Sequence, residues 1–365
     1  MNTNVLPDII LKDPEGVREN LLPLSFTRPL SELRLGILTL REKWERMLPG
    51  NYSWRTEPYL ASKFPESVGP AAYVIDSDII PTPAIADAIG RGEDPEGVER
   101  IEHLYDIFMK NGDAIEADYR LLTAGRESMP LSDSNTLIGD RSLLFIEPGA
   151  CVEGVILNTT RGPIYIGRDA EVMEGSCLRG PVAICEHATV NMGTKIYGAT
   201  TIGPWCKVGG ELNNVVMIGY SNKAHDGFLG NAVIGEWCNL GAGCVASNLK
   251  NDYTEIKLWN YPAHRFLKTG LQFCGLIMGD HSKAGINTMF NTATVVGVGV
   301  NIHGSGFPRN FIASFSEGGA SGFSDVSLAK FYDIATRVMA RRGKSLTDID
   351  RGIFQYIYDF ADRFK

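Results

Sequence analysis

Aliphatic residues recur at every sixth position through the middle of the chain. Ile166, Val172, Leu178, Ile184, Val190, Ile196, Ile202 and Val208 all fall in one register. The fifth position of each hexad is mostly small: Ala170, Ser176, Val182, Ala188, Thr194, Thr200 and Cys206. Glycine often follows the aliphatic position, as at Gly167, Gly203 and Gly209. An α-helix needs a 3.6-residue period and does not tolerate this much glycine. An antiparallel meander needs period two without a turn every six residues. A hexad therefore predicts one short strand and one turn, with the aliphatic side chain turned inward. Three hexads close a triangular coil, and coils stacked about 4.8 Å apart pair one another's backbone groups. The prediction is a parallel β-helix.

The register resumes after interruptions, at Ile234, Leu240 and Ala246, then at Met278, Ala284, Phe290, Val296 and Ile302. Weaker starts stand at Ile146 and Val152. The prism is expected over about 138–316. Near Lys250 to Leu271 the chain leaves the repeat, and this insertion carries Trp259, Tyr261, Pro262, His264 and Arg265. A loop projecting from a solenoid often serves a binding face. Without it, eight or nine coils remain, roughly 40 Å of length.

The flanks follow other rhythms. Residues 1–125 predict a small α/β unit. Leu33, Ile37, Leu40, Trp44 and Met47 mark one face of a helix, Ala72 to Ile75 a buried strand, and 101–111 and 114–124 further helical turns. A polar linker, Gly125 to Asp133, leads into the prism. Residues 324–365 predict two helices broken at Gly343, placed to cap an open coil edge or to extend a contact between chains.

Composition narrows the reading. The chain has 365 residues and a net charge of −8 without a long basic run, which argues against a nucleic-acid or membrane-surface binder. No apolar run is long enough to span a membrane, and Met1 to Glu19 lacks the pattern of a secretory leader, so the cytoplasm is the expected compartment. The seven cysteines form no CxxC pair or Cys/His metal spacing, and the six inside the repeat are expected to be small buried side chains. His187 and His281 read as structural histidines. Compared with these two, His225 sits in a polar break of the hexad rhythm, Ser221-Asn222-Lys223-Ala224-His225-Asp226-Gly227-Phe228.

That break is followed by Asn239-Leu240-Gly241-Ala242-Gly243 and Ser247-Asn248-Leu249. Together these segments resemble the bifunctional UDP-N-acetylglucosamine pyrophosphorylase / glucosamine-1-phosphate N-acetyltransferase family. The resemblance implies a left-handed coil, against the usual right-handed crossover. It implies acetyl transfer from acetyl-CoA, with His225 as general base. Lys195, Lys223, Phe228, Asn239 and Asn248 would meet the sugar phosphate, and Ala242, Asp280 and Arg309 the acetyl-CoA. A base titrating near neutrality suits an attacking amine, and a free backbone N–H suits the developing oxyanion. Phe228 stands where the family has a tyrosine, Asn214 where it has a basic residue and Asp280 near its acetyl-CoA serine, departures that bear on the acceptor more than on the reaction. For Asn239 and Asn248 a turn-ladder role is the competing reading.

The first unit carries a second resemblance, in Leu22-Pro23-Leu24-Ser25-Phe26-Thr27-Arg28-Pro29, Glu32 to Leu38 and Arg41-Glu42-Lys43-Trp44-Glu45. These segments look like a divergent bacterial branch of the same family whose sugar nucleotidyltransferase domain lacks the Gly-rich loop. The resemblance places Thr27, Arg28 and Lys43 on a nucleoside triphosphate and Asp76 or Asp78 on Mg²⁺. The unit is about half the usual length. The expected protein is a homotrimeric sugar-nucleotide enzyme with acyl- and nucleotidyl-transfer halves. The alternatives are one activity with the other half vestigial, a non-catalytic trimeric scaffold, and a metal-binding β-helix, for which His187, His225 and His281 lack a one-coil spacing.

Overall fold

A computed structural model describes residues 6–67, 69 and 73–365. Its centre is the left-handed parallel β-helix, running from Thr136–Ile138 to Ser316–Gly319. In one face, Val152, Val172, Val190 and Val208 stack directly on one another through parallel pairing. All four are buried in the prism's apolar core with Leu178, Ile196 and Ile202. The hexad rule thus follows from geometry: every third hexad brings an aliphatic side chain back above its predecessor. This face forms a sheet of ten strands. Its last strand, Gly322–Asp325, pairs antiparallel with Ser316–Gly319 and closes the end that was expected to need capping.

The rhythm breaks where the coil shortens. Val190 and Val208 pair eighteen residues apart, Val208 and Lys223 fifteen, and Asn222 and Asn239 seventeen. Two long strands, Glu211–Gly219 and Phe228–Glu236, turn a corner and fuse the other two faces into one fifteen-stranded sheet. The expected insertion is an antiparallel hairpin, Lys257–Asn260 with Arg265–Lys268.

The first unit holds a three-stranded parallel sheet with Asp8–Lys12 between Asn51–Arg55 and Tyr73–Asp76. Ala72, expected in that last strand, lies outside the described residues. The helix expected from Leu33 begins at Leu40 instead. Gly36, at φ +76°, turns a small hairpin between Arg34–Leu35 and Leu38–Thr39, and Thr39 then starts the helix through a capping box with Glu42. The further helices are Asp106–Met109 and Asn111–Thr123.

This unit lies along one face of the prism. Val216, Val233, Ile277 and Val295 project from that face and are buried against Leu30, Leu35 and Phe108. Lower down, Phe145, Tyr165 and Ala183 pack on Ile37, Ile115 and Tyr119. The C-terminal helices, Leu328–Ala340 and Asp348–Ala361, join the same cluster through Phe331, Ile353 and Ile357. They flank the prism rather than cap its end, because their apolar stripes meet this layer. Lys63 pairs with Asp350 at 2.8 Å, and Tyr59 stacks on Tyr356 with centroids 3.9 Å apart. Two faces of the prism remain open. Their outward positions include Cys151 and Cys177, which are exposed, unlike the buried Cys185, Cys206, Cys238 and Cys244.

Candidate functional site

The polar break forms one corner of the prism. Asn222 pairs with Asn239, so Lys223 is level with Leu240, and His225 with Ala242 one coil on. His225, Asp226 and Ala242 are all exposed. Glycines shape the corner: a Cβ on Gly210 (φ +79°) would meet the Gly227 carbonyl at 2.7 Å, and one on Gly227 (φ +126°) the Cys244 carbonyl at 2.0 Å. The Gly241 and Gly243 N–H groups donate to the carbonyls of Ala284 (2.9 Å) and Asp226 (3.0 Å). The Ala242 N–H between them has no acceptor among the described residues. The corner thus presents an imidazole and an unpaired backbone donor in consecutive coils. Its level is also fixed from two coils before, where the Asn191 amide donates to the Ala224 carbonyl at 2.8 Å, a contact that no sequence pattern announced.

Lys223 is not on the surface with His225. It occupies an inward position between Val208 and Leu240 and is 1% exposed. Its ammonium donates to the carbonyls of His225 (2.7 Å) and Gly209 (3.1 Å). Burial pulls its pKa down to about 8. A direct contact between Lys223 and a sugar phosphate is therefore corrected: the apolar core, not a ligand, surrounds its stem.

The other acceptor-side residues spread over the open faces. Lys195 is exposed and pairs through its strand with Glu211, which in turn pairs with Phe228. Asn239 is exposed on the neighbouring face, 3.5 Å from the Asn222 amide. Asn248 stands at the far edge of the Phe228 face. Its amide donates to Asn231 at 2.8 Å, and Asn231 in turn meets Asn214. That is the turn ladder, although the Asn248 side-chain oxygen Oδ1 has no partner among the described residues. Within one chain, Asn239 and Asn248 therefore lie on different sides of the prism and are not brought together.

A groove of about 1500 Å³ opens between the hairpin and the last coils. Lys250, Lys257, Lys268 and Arg309 line it together with Trp259 and Phe307. Ser247 and Leu249, either side of Asn248, reach its rim. The guanidinium of Arg309 stacks 5.1 Å from the Phe323 ring centroid. Asp252 and Glu255 also line it and pair with Lys250 (3.4 Å) and Lys268 (3.0 Å), so Lys257 and Arg309 are the lining cations without a carboxylate partner among the described residues. Over aromatic walls they suit a ligand with phosphates and a planar base. The lysines of this groove were missed because an irregular insertion has no period to read.

Asp280 lies elsewhere. It is 3% exposed and accepts from Thr27 Oγ1 (2.7 Å), from the Glu236 N–H (2.8 Å) and from the Arg28 guanidinium. Arg28 also meets Glu236 at 3.3 Å. Burial opposes its charge, but the two carboxylates hold its pKa above the ordinary value. So Thr27 and Arg28, expected on a triphosphate, and Asp280, expected on acetyl-CoA, form one buried cluster. They border a cavity of about 310 Å³ where the first unit, the prism and the C-terminal helices meet.

The remaining nucleotide-side residues are also engaged. Lys43 is 2% exposed and its ammonium contacts Asp118, which also accepts from the Ile37 and Leu38 N–H groups. Asp76 and Asp78 both bind Arg100, at 3.1 and 2.7 Å. Burial raises the Asp78 pKa against the pull of Arg100. The guanidinium offsets one of the two carboxylate charges, and the second Asp78 oxygen is buried without a partner; no group of three or more His, Cys, Asp or Glu suited to a metal occurs among the described residues. At the carboxyl edge of the small sheet, Asp13 accepts from Ser77 Oγ (2.5 Å), Thr56 Oγ1 (2.5 Å) and the Leu30 N–H (2.9 Å).

With this geometry in hand, the relatives are informative. Residues 9–98 match the family described as sugar nucleotidyl transferase. A bifunctional sugar-1-phosphate nucleotidylyltransferase/acetyltransferase of Sulfurisphaera tokodaii is 28% identical over 145 residues, covering 39% of this chain and 36% of that protein. The bifunctional protein GlmU of Methanocaldococcus jannaschii is 28% identical over 118 residues, 32% of this chain and 26% of the relative. That of Synechococcus elongatus is 24% identical over 168 residues, 43% of this chain and 32% of the relative. The matched stretches thus span about a third or less of each relative's length. The chain matches a sugar nucleotidyl transferase family over a segment near its start and resembles bifunctional GlmU-type proteins at low identity. No helix among the described residues is long and apolar enough to cross a membrane.

Proposed function

We propose that this protein transfers an acetyl group from acetyl-CoA to an amino-sugar phosphate or amino-sugar nucleotide, at the His225 corner of its β-helix, in sugar-nucleotide biosynthesis. The observation that carries this reading is the pairing of an exposed imidazole with the free Ala242 N–H in the next coil. The amine nitrogen attacks the thioester carbonyl while His225 accepts its proton. The Ala242 N–H donates to the oxyanion. The C–S bond then breaks, and the CoA sulfur leaves as thiolate and takes up a proton. The cationic groove with Arg309 would hold the CoA phosphates. Lys195, Phe228, Asn239 and Asn248 lie on the open faces, at positions where a neighbouring prism would complete the acceptor site, so the active form proposed is a homotrimer. UDP-N-acetylglucosamine biosynthesis is the route proposed, on the resemblance of the segments around His225 to the bifunctional pyrophosphorylase/acetyltransferase family. Acetyl-CoA and sugar phosphates are cytoplasmic metabolites, which sets the compartment proposed.

The second activity proposed is nucleotidyl transfer from a nucleoside triphosphate to a sugar 1-phosphate by the first unit, through Thr27 and Arg28. One set of observations favours the alternative, a single acetyl-transfer activity beside a structural first unit: Arg28, Lys43 and Asp13 are already held by protein partners, and Asp76 and Asp78 both meet Arg100. The test is parallel turnover of one preparation. Acetyl-CoA with glucosamine 1-phosphate should release CoA thiol. UTP or dTTP with sugar 1-phosphates should release pyrophosphate if the first unit is active. Thiol release without pyrophosphate selects the single-activity reading, and absence of both with every amino-sugar acceptor offered rejects the proposal.

A further inference from the structure

Lys223 is the one cation in the inward ladder of its face. Below it stand Val172, Val190 and Val208, and above it Leu240. An aliphatic side chain is what this stack is built for, and replacing one by an ammonium costs desolvation without adding an ion pair. No carboxylate salt-bridges Lys223 among the described residues. Its partners are two backbone carbonyls, of Gly209 at 3.1 Å and of His225 at 2.7 Å. The second is the carbonyl of the proposed base itself.

The coil explains why such a tether is required. The step from Val208 to Lys223 is three residues shorter than the regular step before it. The corner from Ala224 to Gly227 therefore leaves the repeat: ladder N–H groups reach the Asp226 carbonyl (from Gly243, 3.0 Å) and the Gly227 carbonyl (from Glu211, 3.2 Å), but the carbonyls of Ala224 and His225 have no ladder donors among the described residues. Two side chains replace them. Asn191 reaches up from two coils before, past Gly209, to the Ala224 carbonyl at 2.8 Å, and Lys223 reaches out from the core to the next carbonyl. The corner is gripped at two consecutive residues, and His225 projects from the gripped segment.

From this we infer that Lys223 is a positioning residue for acetyl transfer, fixing the backbone that presents the His225 imidazole. The inference rests on the proposed role of His225 and adds to it a residue that touches no substrate. A base displaced by about 1 Å loses on the order of 100-fold in rate. The stem of Lys223 contributes apolar packing that a methionine reproduces, so Lys223→Met removes the tether while keeping the ladder filled.

The experiment compares Lys223→Met and His225→Ala with the full-length protein. Amide hydrogen exchange, which needs no substrate, is read at Glu211 and Gly243, whose N–H groups donate to the Gly227 and Asp226 carbonyls of the corner, and at the flanking coils. Turnover is read with acetyl-CoA and glucosamine 1-phosphate. For Lys223→Met the expected result is exchange at least about 10-fold faster at Glu211 and Gly243, the donors to the corner, and unchanged elsewhere. The melting temperature should be no lower than that of the parent, the acetyl-CoA KM unchanged and kcat lowered about 10- to 100-fold. Unchanged corner exchange, or a prism destabilised throughout with exchange accelerated in every coil, overturns the positioning role. If His225→Ala is slow while Lys223→Met turns over like the parent, this inference fails and the reading of His225 stands. If His225→Ala keeps the parental rate, the reading of His225 fails, and with it any catalytic purpose for the tether.

Discussion

The Arg28 guanidinium donates to the carboxylate of Asp280, 252 positions later in the chain, and both side chains are almost fully buried. This contact ties the first unit to the prism at the point where the C-terminal helices also arrive. Removing one partner of a buried pair leaves an uncompensated charge, a loss of about 3–5 kcal/mol. Arg28→Ala is expected to lower stability by that amount in urea unfolding. Arg28→Met combined with Asp280→Asn should recover most of the loss, since the amide oxygen still accepts from the Glu236 N–H. A change below about 1 kcal/mol for Arg28→Ala would mean that the contact is not a structural tie.

His281, next in sequence, gives this junction a dependence on acid. Its ring is 5% exposed and meets Phe331 and Phe354 edge-on, and its Nδ1 has no partner. Burial, then Lys283, Lys63 and Arg28, holds its pKa well below 6.5. Because the folded value lies below the unfolded one, the contribution is complete above pH 6.5 and is lost as the pH falls further. His281→Asn keeps a side chain tolerant of the left-handed backbone at φ 58° and removes the titration. Relative to this variant, the parent should lose stability between pH 7 and 5, with a slope of up to about 1.4 kcal/mol per unit. Parallel melting curves across that range would show that His281 does not titrate on unfolding.

The prism was readable because its physics is periodic. An inward aliphatic every sixth residue, as at Val172, Val190 and Val208, leaves one packing solution, and the sequence states it coil after coil. The polar break was equally legible, and it does lie where the coil shortens. What the break cannot disclose is direction. Lys223 and His225 are two residues apart, yet one points into the core and the other into solvent. The ion pairs Arg28–Asp280 and Lys43–Asp118 join residues with no sequence relation, so cations that resembled ligand contacts were already spoken for. The helix expected from Leu33 failed at Gly36, where a left-handed turn overrode an amphipathic pattern.

Lys223 also predicts a response to alkali. Its pKa lies near 8 in the folded chain against 10.5 for an unburied lysine, so the folded state gives up this proton first. The cost of burying the charge is therefore complete below pH 8 and disappears as the pH rises from 8 to 10.5. Compared with Lys223→Met, the parent should gain stability across that window by at most about 3 kcal/mol. The difference between the two proteins is the quantity to follow, because buried thiols such as Cys185, pushed up to about 11 by burial, work in the opposite direction in both. A difference independent of pH would show that the ammonium is hydrated rather than buried.

Arg309 tests the acyl-donor groove without touching the proposed base. It lines the groove of about 1500 Å³ with Lys250, Lys257 and Lys268, and Phe323 fixes its guanidinium from one side. A hydrogen bond from a guanidinium to a phosphate contributes about 1.5–3 kcal/mol, equivalent to roughly 10- to 100-fold in affinity. If that contact is made equally in ground and transition states, Arg309→Ala raises the acetyl-CoA KM by this factor and leaves kcat alone. Added salt should narrow the gap between parent and variant, since the contact is charged and open to solvent. The 3′-dephosphorylated form of CoA discriminates further. If Arg309 reads the 3′-phosphate, removing that phosphate from the ligand weakens the parent and leaves Arg309→Ala almost unaffected. If it reads the pyrophosphate, the variant stays weaker than the parent by the same factor with either ligand. A variant that binds both forms as tightly as the parent removes Arg309 from the donor site and leaves the groove without the contact on which its assignment rests.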